Sequence, residues 1–146
     1  MTHRTLPVAE RFARMPLFAG SSKRELDSLA RLTVELDVEA GKALTSEGEL
    51  GREFLIVLSG EAVALHGGRQ VATFGPGDCF GEVAVLDHSA RTATVVARTP
   101  MHLAVVAAQD FDRLIEQVPA LAHKVLQVMA HRLAGPGGAV AHPVGA

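Results

Sequence analysis

Residues 54–74 read FLIVLSGEAVALHGGRQVATF, and their pattern decides the fold class. Phe54 to Leu58 is an unbroken apolar run of strand length, stopped by Ser59-Gly60. Ala62 to Leu65 and Gln70 to Phe74 flank His66-Gly67-Gly68-Arg69, a spacing that predicts a β-hairpin.

The same rhythm continues outward. Val34, Leu36 and Val38 alternate with Glu35, Asp37 and Glu39, which predicts a half-buried strand with one wet face. Gly41 punctuates, and Ala43-Leu44 opens a short strand ending at the acidic turn Glu47-Gly48-Glu49. Val95-Val96 and Leu103 to Val106 supply two more strands around Thr99-Pro100. Seven or eight strands, eight to twelve residues apart, predict a mainly β, α+β fold built on an antiparallel jelly-roll barrel or sandwich.

Both ends switch to a period near 3.6. Val8, Phe12, Met15 and Leu17-Phe18 predict a first helix, broken by Pro16. Ser21 or Ser22 offers an N-cap with Glu25 in capping-box position, and Leu26, Leu29 and Ala30 form the apolar stripe of a second helix. Asp110 heads a short helix through Ile115, and Pro119 starts a longer one lined by Leu121, Val125, Val128-Met129 and Leu133. Gly135-Pro136-Gly137-Gly138 ends it, and 135–146 reads as a flexible tail.

Composition narrows the function classes. The chain has 146 residues, enough for one domain with its own core. Lys plus Arg is 14 and Asp plus Glu 16, a net charge of −2 that argues against a nucleic-acid polymer as partner. All six aromatics are Phe, a poor base-stacking platform, and a single Cys79 excludes a disulfide framework or a multi-cysteine metal site. No signal peptide or 18-residue apolar span is visible, so a cytoplasmic location is expected. Residues 1–24 sum to +4 and 25–61 to −6, a basic arm followed by an acidic shoulder. Eleven Arg against three Lys, with no Asn, is the composition of a GC-rich bacterial gene.

The chemistry gathers at residues 75–95, GPGDCFGEVAVLDHSARTATV. Gly75, Gly77 and Gly81 allow positive φ and close backbone approach to a ligand. A helical turn over Glu82 to Leu86 would present free N–H groups beside Gly81 as an anion nest. Arg91 can meet a phosphate with two prongs, and Thr92 adds a hydroxyl. An ionised Glu82 only accepts, so a sugar hydroxyl is its natural partner. These residues describe a pocket for a ribose carrying one phosphate. They equally suit a tight turn with a structural Glu82–Arg91 ion pair.

The order of Phe80-Gly81-Glu82 and Arg91-Thr92-Ala93-Thr94-Val95 closely resembles the phosphate-binding cassette of cyclic-nucleotide-binding domains, the family of catabolite activators, protein kinase A regulatory subunits and cyclic-nucleotide-gated channels. Phe54 to Glu61, Phe74 to Asp78 and Pro16-Leu17-Phe18 extend the resemblance over nearly the whole chain. It implies a binding domain over 1–134, with N-terminal helices at 1–32, a β-roll at 33–107 carrying the cassette at 80–93, and C-terminal helices at 108–134. By position, Glu82 would accept from the ribose 2′-hydroxyl and Arg91 would pair with the cyclic phosphate. The N–H groups of Gly81, Val83 and Ala84, with Thr92, would complete the phosphate shell. Val71 and Leu86 would wall the base and sugar, and Met129 and Leu133 on the last helix would cap the base. Family members often carry Pro where this chain has Ala90, so the loop is less preset.

The implied ligand is cAMP, with cGMP admitted by the Thr92 hydroxyl, and no metal. The implied role is a stand-alone regulatory module that acts in trans on a protein effector, with a homodimer through the last helix as an option. The alternative is a ligand-free barrel used as a dimerisation or scaffold module. An enzyme is not expected. None of the seven histidines forms an HxH pair suited to a cupin metal site, and neither Cys79 nor Ser89 has an evident catalytic base.

Overall fold

A computed structural model of the chain describes residues 7–81 and 90–133, with backbone alone at 128, 129 and 131–133. The expected tail at 135–146 lies outside the described residues.

Helix α1 (Val8–Ala13) ends before Pro16, which opens a single 3₁₀ turn, Pro16–Phe18. Helix α2 (Lys23–Leu32) starts at Ser22 rather than Ser21. The Glu25 N–H donates to Ser22 Oγ at 3.1 Å, and the Ser22 N–H donates to Glu25 Oε1 at 2.8 Å, a reciprocal capping box. Eight strands follow among the described residues: β1 (Val34–Val38), β2 (Ala43–Thr45), β3 (Glu53–Ser59), β4 (Ala62–His66), β5 (Arg69–Phe74), β6 (Cys79–Phe80), β7 (Thr94–Ala97) and β8 (Met101–Ala107). Helix α3 (Ala108–Gln117) begins two residues before Asp110, which sits in its first turn. Helix α4 (Pro119–Leu133) follows after Val118.

The strands form two antiparallel four-stranded sheets, ordered β1-β8-β3-β6 and β2-β7-β4-β5. Strand β3 explains its own unbroken apolar run, because it is buried on both faces. Phe54, Ile56 and Leu58 pack with Phe12, Phe18, Leu29, Phe111 and Leu121 of the helices. Leu55 and Val57 face the second sheet, with Ala64, Phe80, Val95 and Leu103. The register Phe54↔Val106 and Ile56↔Ala104 carries the helix-side layer across to β8. A fully buried Phe such as Phe54, 0% exposed, contributes about 3–5 kcal/mol against truncation to Ala.

The β4–β5 hairpin is tighter than its four-residue signal. His66 pairs with Arg69, leaving only Gly67 and Gly68 in the turn, at φ 57° and 81°. Two successive left-handed residues make the turn whose twist matches the strands it joins. Strand β6, two residues long, pairs with the centre of β3 through Leu55↔Phe80 and Ile56↔Cys79.

Strand β1 departs from the half-buried expectation. Val34 is 70% exposed and Leu36 47%, and only Val38 is buried. The strand lies at a sheet edge with β8 as its single neighbour, and its first residues gain no covering layer. On its other face, Asp37 Oδ1 lies 2.6 Å from His102 Nδ1 and Glu35 Oε1 lies 2.7 Å from His102 Nε2. Both ring nitrogens therefore face carboxylate acceptors. Burial lowers the His102 pKa, but these hydrogen bonds and charges outweigh it, and the net shift is upward.

Among the described residues, no helix is long and apolar enough to cross a membrane. No group of three His, Cys, Asp or Glu side chains among them is arranged to hold a metal ion.

Candidate functional site

Arg91 is a buried charge of the β-roll, 5% exposed. Backbone pairing brings it there. The Arg91 N–H donates to the Glu49 carbonyl at 2.7 Å, and the Gly48 N–H donates to the Arg91 carbonyl at 3.0 Å. A bridge between Leu50 and Ala90 extends this pairing, so the segment entering β7 is stitched to the turn before β3. The side chain then reaches inward, and its Nη2 donates to the Glu53 carbonyl at 2.6 Å. A guanidinium this far from water must be held by hydrogen-bond partners, and that carbonyl is one of them.

Gly81 follows β6 and lies directly against the same guanidinium. Its φ is +94°, the region that favours glycine. A Cβ there would sit 2.6 Å from Arg91 Nη1 and 2.8 Å from the Glu53 carbonyl oxygen. The glycine and the arginine of the expected pocket are thus one local arrangement. Phe80, the residue before Gly81, stacks on Phe74 with ring centroids 4.8 Å apart. Beside Arg91 opens a concavity of about 400 Å³, whose lining includes Ser46, Glu49, Leu50, Arg52 and Glu53. A guanidinium lining such a cleft is the kind of group that meets an oxyanion.

The other expected site residues divide into three groups. Thr92 is exposed beside Arg91, and its carbonyl accepts from His66 Nδ1 at 2.7 Å. Val71 stands on β5, 47% exposed, at the far edge of the second sheet from β2 and not among the residues lining the concavity. Glu82, Val83, Ala84 and Leu86 lie outside the described residues, as do the side chains of Met129 and Leu133. The first half of α4 is anchored by Leu121 and Val125 in the helix-side core. Sequence reasoning did not identify the carbonyls of Glu49 and Glu53 as partners of Arg91. A backbone acceptor leaves no residue-type signature, so no pattern could have marked them.

Comparison with known proteins places the chain in a family. The model of the cyclic nucleotide-binding domain matches residues 35–118. The cAMP-dependent protein kinase regulatory subunit of Yarrowia lipolytica is 37% identical over 120 residues, 80% of this chain and 32% of that protein. The cyclic AMP receptor protein of Thermus thermophilus is 32% identical over 123 residues, 81% of this chain and 57% of the relative. The crystal structure of the Thermus thermophilus catabolite activator protein matches with a TM-score of 0.73 and 32% identity, covering 82% of this chain and 58% of that one. The regulatory domain of Toxoplasma gondii protein kinase A, crystallised with cAMP, matches with a TM-score of 0.71 and 27% identity, over 82% of this chain and 48% of that one. The chain spans less than two thirds of the length of each of these relatives. The family match runs from β1 to the end of α3 and takes in both Gly81 and Arg91, and the chain belongs to the cyclic nucleotide-binding domain family.

Proposed function

We propose that this domain binds cAMP at the mouth of the β-roll and reports occupancy to a protein effector in trans through its last helix. The observation that carries the reading is Arg91, 5% exposed, with its guanidinium packed against Gly81 at the wall of an open cleft. One cyclic phosphate carries one negative charge, and one desolvated guanidinium meets it with two parallel hydrogen bonds. The net charge of −2 is no obstacle to so local a contact.

In this reading Gly81, Val83 and Ala84 offer N–H groups to the phosphate, Thr92 offers its hydroxyl, and Glu82 accepts from the ribose 2′-hydroxyl. Val71 and Leu86 wall the base and sugar, and Met129 and Leu133 close over the base. Binding favours the arrangement in which α4 folds onto the ligand, a population shift set by its differential affinity for the two states. cGMP is the competing ligand through the Thr92 hydroxyl. The setting is cytoplasmic, without a metal, and α4 is the surface on which a homodimer would form.

Calorimetric titration with cAMP and cGMP tests this. The expected result is saturable binding by the wild type and a loss of about 30- to several-thousand-fold in R91A, from about 2–5 kcal/mol for one partner of a desolvated charge pair. No heat and no rise in melting temperature at millimolar nucleotide refutes the reading. An R91A affinity within about threefold of wild type removes Arg91 from the phosphate.

A further inference from the structure

The hairpin tip between β4 and β5 touches the segment that carries Arg91. His66, the last residue of β4, places Nδ1 2.7 Å from the Thr92 carbonyl oxygen. A carbonyl only accepts, so Nδ1 carries the proton and donates. The same nitrogen lies 3.4 Å from Glu47 Oε2. The other oxygen, Glu47 Oε1, accepts from the Gly67 N–H of the hairpin turn at 3.0 Å. The Glu47 N–H in turn donates to Thr94 Oγ1 at 3.0 Å. Glu47 also opens the turn whose Gly48 and Glu49 pair with the Arg91 backbone. Three segments distant in sequence are therefore closed into one ring of hydrogen bonds around residues 91–94.

We propose that His66 and Glu47 are positioning residues for the anion site, holding the backbone of Thr92 so that Arg91 and the Thr92 hydroxyl face the ligand in register. The proposal rests on the cyclic-nucleotide reading above for its ligand, but the ring itself stands in the unliganded protein. The turn chemistry supports it. Gly67 and Gly68 at positive φ give the two-residue turn, and that turn aims the Gly67 N–H at Glu47 while His66 is still in strand geometry. Neither side chain needs to touch the nucleotide. Their effect passes through one carbonyl, immediately next to the phosphate-binding arginine.

The test uses H66A, H66N and E47A, with two readouts. The Asn side-chain amide can donate from nearly the position of His Nδ1, whereas Ala cannot. In the unliganded protein, H66A and E47A are expected to speed amide exchange at Gly48 and Arg91, leaving Ile56 and Ala104 of the β3–β8 ladder unchanged. In calorimetry with cAMP, both are expected to weaken binding about threefold to tenfold, the value of roughly one net hydrogen bond. H66N is expected to restore both readouts, which a general loss of packing would not allow. Wild-type exchange in H66A or E47A, an H66N protein as impaired as H66A, or unchanged affinity in variants of a binding-competent wild type each overturns the proposal. A wild type that binds neither cAMP nor cGMP refutes the proposed function instead, and exchange at Gly48 and Arg91 then decides the positioning role alone.

Discussion

Replacing Gly81 by Ala asks whether the glycine and the arginine work as one unit. The added Cβ would lie 2.6 Å from Arg91 Nη1 and 2.8 Å from the Glu53 carbonyl oxygen, closer than carbon approaches either. The carbonyl belongs to β3, which is locked to β8 through Glu53↔Ala107, so the guanidinium is the part that yields. The φ of +94° adds a left-handed penalty of roughly 1–2 kcal/mol for a residue with a Cβ. Losing the 2.6 Å hydrogen bond from a charged donor adds up to about 1.5–3 kcal/mol. With partial relaxation, G81A is expected to cost about 2–4 kcal/mol, a fall in melting temperature of roughly 6–12 °C for a chain of this size. Affinity for cAMP is expected to fall at least about tenfold, since the displaced guanidinium no longer sits at the cleft wall. The sharper measurement is a double-mutant cycle with R91A by denaturant unfolding. In the R91A background the contact with the guanidinium is gone, so G81A should cost only the backbone term and the remaining contact with the Glu53 carbonyl, giving a coupling of about 1 kcal/mol or more. Additivity within about 0.3–0.5 kcal/mol, or a G81A melting temperature within about 2 °C of wild type, refutes the reasoning.

Two further outcomes follow from the described hydrogen bonds. Thr45 is 7% exposed at the β2–β7 irregularity, where Oγ1 donates to the Ala93 carbonyl at 3.1 Å and accepts from the Val95 N–H at 3.2 Å. T45V keeps the shape but leaves both backbone groups unpaired, so urea unfolding should show a loss of about 1–3 kcal/mol, and a neutral result contradicts the bridging role. His102, with its pKa raised above 6.5 by Glu35 and Asp37 despite burial, contributes stability that is complete below 6.5 and lost as pH rises through the raised value. The melting-temperature gap between wild type and H102Q should therefore narrow with rising pH, and a gap constant across that range excludes the imidazolium clamp.

What the chain reveals before folding depends on how local each cause is. The run Phe54 to Leu58, the turn at Gly67-Gly68 and the Ser22–Glu25 capping box act within a few residues, and each appears within a residue or so of where its pattern points. The Val34–Leu36 alternation identifies which side chains share a face. It carries no information on whether another layer covers that face, and at the edge of a sheet none does. Strand β6 is too short to show a period, and exists because β3 offers a partner at Leu55 and Ile56.

The same division runs through the site. Gly81 and Arg91 are visible as residue types because their side chains, one absent and one charged, are what the geometry requires. The groups that hold Arg91 in place are carbonyls of Glu49 and Glu53, which other non-proline residues would supply in the same backbone geometry. A motif can therefore mark a candidate anion site while leaving its supports unmarked. Ala90, where family members often carry Pro, lies in a segment supported in this unmarked way. The segment is held from outside, by Leu50 across the Leu50↔Ala90 bridge and by the Gly48–Glu49 turn, rather than by the fixed φ of its own residue.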